Sequence, residues 1–187
     1  MTDNPGAVSQ ESLQQIRSNA DVIVASCNYT CGFEFGFNEQ SVEWLDGFIE
    51  KLRSGPFSEE QREAMQTNIG CYLGEAIIRA HGGKWSLNEQ GWHVLFPIGT
   101  RAFPFSKVRK RFLDGEFDSI TGFYRVAGEF AKPESERQFT PAISFAGPET
   151  SGPSTAFTQF KAILTDSHFL VPLIVLCIGL ALLITLH

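Results

Sequence analysis

The chain has 187 residues, enough for one domain with room for accessory segments. A hydrophobic share of 43% beside 19% charged residues excludes a wholly disordered chain, and 17 glycines and 9 prolines without period exclude a fibrous one. The net charge of −6 argues against whole-chain binding to nucleic acid.

In chain order, residues 1–8 are expected to be disordered and a globular unit is expected over 9–131. The opening MTDNPGAVSQESLQQ has neither a basic nor an apolar region, so it does not read as a signal peptide. A first helix is predicted over Ser9–Ala25, with Leu13, Ile16, Ala20 and Ile23 at spacings of three and four. Cys27-Asn-Tyr-Thr-Cys31 is a CxxxC without a second pair, which reads as packing thiols rather than a redox or zinc site. Gly32-Phe-Glu-Phe-Gly-Phe37 places three rings at period two, predicting a short strand or extended arm. Asn38 caps a helix to about Arg53, ended by Gly55-Pro56.

Ser58-Glu-Glu-Gln61 is a capping box opening a helix from Glu59 to about His81. One face is apolar, and the other carries Gly70, Cys71, Gly74 and Ile78, so this helix is expected to be central. Gly70 and Gly74 each sacrifice about 1 kcal/mol of helix propensity, which predicts that another backbone comes close there. Gly82-Gly83 supplies a left-handed stop. Lys84–Leu87 and Trp92–Phe96 predict a β-hairpin with Trp85, Leu87, Trp92, Val94 and Phe96 as its apolar set. After a loop over Pro97–Pro104, two short helices are predicted at about Phe105–Leu113 and Asp118–Phe130. The class is therefore α+β, mainly helical with a small antiparallel hairpin or sheet.

Residues 132–165 carry four of the nine prolines among Ser, Thr and Gly, and read as a flexible tether of roughly 30 Å end to end. From Phe169 to Leu186 the chain runs 18 residues without a charge, 15 of them apolar. As a helix that is about 27 Å, close to a hydrocarbon core. Hydrophobic all round, it predicts a single transmembrane anchor over 166–187, with the folded unit in the cytoplasm. The lipid bilayer is then one partner.

Several motifs occur in order: Gly-Cys-Tyr-Leu-Gly-Glu (70–75), Gly-Gly-Lys-Trp (82–85) and Pro-Phe-Ser-Lys-Val-Arg-Lys-Arg (104–111). With SVEWLDGFIEKLR (41–53) before them, they resemble a family of small bacterial domains of unknown function over about residues 35–130. The resemblance implies a bacterial origin and a common fold, and no activity.

Two constellations could carry function. Glu75 and Arg79 stand at i, i+4 in the favourable order, with His81 at the helix end and Trp85 beyond. His93 and Arg101 are placed to join them across the hairpin. Together they could line a cleft for a small ligand or for acid–base chemistry. The plain alternative is a structural ion pair with ordinary surface histidines, and no nucleophile elbow, phosphate loop or HExxH accompanies them. No cofactor and no metal site is read from this pattern.

The second constellation is basic. Residues 1–75 hold 4 basic and 12 acidic side chains, whereas 76–130 hold 8 and 5. Arg101, Lys107, Arg109, Lys110 and Arg111 fall within eleven residues that contain no acid. On a helix, Lys107, Lys110 and Arg111 are expected to share a face opposite Phe105, Val108 and Phe112. The candidate anionic-surface residues are Arg101, Lys107, Lys110 and Arg111, for an anionic lipid or an acidic protein partner. Without aromatic interleaving, nucleic acid is not favoured. The reading is a non-enzymatic interaction module at the cytoplasmic face of a membrane; its alternative is the ligand or enzyme cleft at Glu75.

Overall fold

The computed structural model describes residues 8–132, so the expected disordered N-terminus, tether and transmembrane anchor lie, but for residues 8 and 132, outside the described residues. No helix within them is long and apolar enough to cross a membrane. The elements are α1 (Gln10–Asn28), α2 (Glu39–Ser54), α3 (Glu59–His81), β1 (Lys84–Asn88), β2 (Gly91–Leu95), β3 (Arg101–Ala102), α4 (Pro104–Asp114), a 3₁₀ turn (Gly115–Asp118) and α5 (Ile120–Ala131). Among the described residues the α+β class holds: five helices stand with a small three-stranded antiparallel sheet ordered β1-β2-β3.

Local chemistry starts the helices. Ser9, Asn38, Ser58 and Ser119 each lie in extended backbone or at a turn and accept an amide hydrogen from the residue three positions on. At Ser58 the box closes fully, since the Ser58 amide also donates to Gln61 Oε1 at 2.9 Å. Gly82 and Gly83, with φ of 80° and 97°, then end α3 in a conformation that side chains with a Cβ rarely adopt.

α3 is the central element, buried from Ile69 to Ile77 and packed against α1, α4 and α5. Its glycines do not receive another backbone, as the sequence suggests; they receive rings. A Cβ on Gly70 would lie 2.4 Å from Phe105, and one on Gly74 would lie 2.1 Å from Trp85. Two aromatic side chains are thus seated directly on the helix backbone. The Phe33–Phe37 segment forms no strand. It is an arm whose rings feed one aromatic cluster: Phe35 is buried against Trp44 and Tyr72, and Phe37 stacks on Tyr72 at 5.4 Å. Tyr72 Oη secures the arm by donating to the Gly36 carbonyl at 2.7 Å.

The hairpin pairs Trp85 with Val94 and Ser86 with His93 around a Glu89-Gln90 turn. Inside the expected loop, Arg101 and Ala102 form β3 against Leu95 and Val94. α5 begins two residues later than predicted because Asp118 belongs to the 3₁₀ turn and Ser119 is its cap.

Candidate functional site

The structure brings Glu75, Arg79 and Trp85 together. Glu75 is only 5% exposed although ionisable, so its oxygens need partners. Oε1 accepts the Trp85 indole N–H at 2.9 Å. Arg17 of α1 and Arg79 approach the two oxygens at 3.9 and 3.6 Å, too long for hydrogen bonds but close enough for Coulomb attraction. Both arginines remain about half exposed. Arg79 Cζ also lies over the Phe37 ring, 3.5 Å from its centroid, a cation–π contact tying α3 to the arm.

His81 and His93 do not join this group. Six residues beyond Glu75, His81 points to another side of α3, where its ring packs on Tyr124 at 4.9 Å and under Gly128. Its Nε2 is buried and has no hydrogen-bond partner among the described residues. Burial lowers its pKa, and a bond to the Tyr124 backbone offsets only part of that. His93 is 2% exposed and occupies the hairpin face opposite Trp85, against Phe103 at 5.2 Å. Arg101 is exposed on the short β3.

The expected basic face also changes. Arg111 is 4% exposed and cannot meet a surface. Its Nε donates to Asp46 Oδ1 at 2.6 Å, one terminal nitrogen to Glu50 Oε2 at 2.8 Å, and the other to the Asp46 carbonyl at 3.0 Å. Asp46 Oδ2 accepts from Ser119 Oγ at 2.5 Å and from the Thr121 amide at 3.2 Å. Burial pushes the Asp46 carboxyl up, but the Ser119 and Arg111 hydrogen bonds outweigh it and hold the pKa below the usual carboxylate value. The reciprocal balance raises Arg111, whose bonds to Asp46 and Glu50 exceed its desolvation. Lys107 is tied up as well, 2.6 Å from Asp118. Of the four expected cations, Arg101 and Lys110 remain exposed, and Arg109 joins them.

Sequence reasoning missed the Asp46–Arg111 network, although a signal was present. Asp46 sits among Val42, Leu45 and Ile49 on the buried stripe of α2, and Arg111 sits between Val108 and Phe112 on that of α4. Opposite charges embedded in two apolar stripes must find each other or remain unpaired in the core.

The thiols are packing groups. Cys27 and Cys71 are buried, and burial pushes the Cys71 thiol up to about 12, far from a reactive thiolate. Among the described residues no three His, Cys, Asp or Glu side chains are grouped to hold a metal.

No family model matches this chain, and neither a curated protein nor a solved structure does. The motifs at 70–75, 82–85 and 104–111 meet in space. Gly70 underlies Phe105, Gly74 underlies Trp85 with Pro104 beside it, and Glu75 holds the Trp85 indole. They form one knot joining α3, the hairpin and α4, which is a structural reason for their spacing.

Proposed function

We propose that the protein is a non-enzymatic interaction module tethered to a membrane, with its folded unit on the cytoplasmic side. The observation that carries this reading is the uncharged run from Phe169 to Leu186, following a Pro/Ser/Thr/Gly-rich stretch and a folded unit. Among the described residues Cys31 and Cys71 form no disulfide, which fits a reducing compartment. The polar groups of the alternative cleft are already engaged in holding the fold: Glu75 anchors Trp85 and attracts two arginines. The contact surface is the outer side of α4, where Arg109 and Lys110 are exposed, with Arg101 just before it on β3. Among the described residues these three cations form no ion pair, so their charge is available to an anionic lipid or an acidic protein.

Membrane fractionation after alkaline washing tests the tether. The full chain should remain in the pellet, and deletion of residues 166–187 should release it. Retention of the deleted form in the washed pellet would overturn the anchor.

A further inference from the structure

We infer that the edge formed by the last turn of α4 and the 3₁₀ turn seats on the lipid surface, with Phe117 and Leu113 entering the interface. This rests on the tethered reading and adds which side of the domain faces the bilayer and what holds it there.

Phe117 is 98% exposed and Leu113 64% exposed, four residues apart across the α4 junction. The junction beneath them is firmly held. Arg53 donates from Nε to the Phe112 carbonyl at 2.8 Å and from a terminal nitrogen to the Leu113 carbonyl at 3.3 Å, satisfying two free acceptors at the end of α4. Lys107 reaches across to Asp118 at 2.6 Å, and Gly115, at φ 71°, makes the bend directly over the Arg53 guanidinium. A pinned turn therefore presents a bare phenylalanine ring to the outside, at a real hydration cost.

The chemistry of the edge fits a bilayer interface. Arg109 and Lys110 precede Leu113 by four and three residues, so they share its face of the helix. Cations beside an exposed aromatic ring match the headgroup and upper acyl layers. Asp114 and Glu116 are also exposed there, leaving the edge near neutrality. Insertion of apolar groups, not net charge, must then supply most of the affinity.

The chain itself brings the lipid near. On the tethered reading, the stretch from Lys132 to the uncharged run at Phe169 would span roughly 33 Å if it behaves as a flexible linker. An anchored domain on such a span samples the bilayer surface at high effective concentration, so one ring and one Leu are enough to bias its orientation.

The test uses the full chain in phosphatidylcholine vesicles with a minor phosphatidylglycerol fraction, prepared with and without brominated acyl chains. The native tryptophans Trp44, Trp85 and Trp92 all lie in the folded unit and set the background. Phe117→Trp should add bromine quenching at least twofold above that background, at low and high salt alike. Ile98→Trp, at an exposed position on the β2–β3 turn, should stay at background. If the chain pellets with vesicles but Trp at 117 gains no quenching, the insertion fails and the tether stands. If the chain does not pellet, both fail. If Trp at 117 gains a concentration-dependent blue shift without quenching, a second copy covers the edge and the lipid assignment is overturned.

Discussion

Asp46→Ala should be among the most damaging single substitutions in the domain. The carboxylate accepts three hydrogen bonds, from Arg111 Nε, Ser119 Oγ and the Thr121 amide, and joins α2 to both α4 and α5. Removing it leaves Arg111, 4% exposed, with Glu50 and the Asp46 carbonyl. The guanidinium charge is still partly compensated, so the cost belongs near the lower end of the 3–5 kcal/mol typical of a broken buried pair, about 3 kcal/mol. That is a large share of a total stability of about 5–15 kcal/mol. Urea unfolding of the full chain in mild detergent, followed by tryptophan fluorescence, isolates the folded unit because the tail contains no tryptophan. With an m-value of about 1.5 kcal/mol/M, the midpoint should fall by about 2 M. Arg111→Met should cost a comparable amount. The double variant Asp46→Ala/Arg111→Met should lose at least about 1 kcal/mol less than the sum of the two single losses, because neither charge is then stranded. Additive losses, or a midpoint change below about 0.3 M for Asp46→Ala, would refute the view that this network holds the three helices together.

Gly74→Ala should destabilise by about 1–3 kcal/mol, because its methyl would meet the Trp85 ring at 2.1 Å. Gly47→Ala, on α2 with open space around it, should stabilise by up to about 1 kcal/mol, and denaturant midpoints of the two variants check both signs. Glu75→Ala should cost about 1–3 kcal/mol by leaving the buried Trp85 N–H without an acceptor, whereas Glu75→Gln should cost less; equal losses in thermal melts would contradict the assignment. His81 is half-buried and has a pKa lowered by that burial, so the unfolded chain binds the extra proton first as pH falls. Stability from this group is complete above the unfolded value near 6.5 and is lost as pH drops through the folded value. Melting temperatures at pH 7.5 and 5.5 should differ less in His81→Gln than in the parent.

What could be read from the sequence was decided within a few residues. The caps at Asn38 and Ser58 each join a side chain to an amide three positions away, so they announce their helices by themselves. The length of α3 follows from its capping box and its glycine stop. The two residues of β3 offer no period to detect, and they pair only because β2 already presents Leu95 and Val94. The glycines of α3 signal a close approach without saying what approaches; the answer, Phe105 and Trp85, lies in later segments. His81 was separable from Glu75 by helical geometry alone, since six residues carry it about a third of a turn away from that face.

The fate of the basic run shows how burial redistributes charge before function can use it. Counted along the chain, residues 101–111 hold five cations and no acid. In the fold, Arg111 is drawn to Asp46 and Glu50, and Lys107 to Asp118, all contributed by segments that the local count assigns to the acidic half or to the next turn. The polarity seen along the sequence is thus partly consumed as internal pairing between α2 and α4. What reaches solvent is Arg101, Arg109 and Lys110, beside two exposed acids and two exposed apolar side chains. A surface of that composition gains little from long-range attraction, which salt screens over about 8 Å at physiological ionic strength. It gains more from short-range contact once something else holds the partner close. Supplying that proximity is the role proposed for the anchor, and the α4 edge then has only to orient the domain.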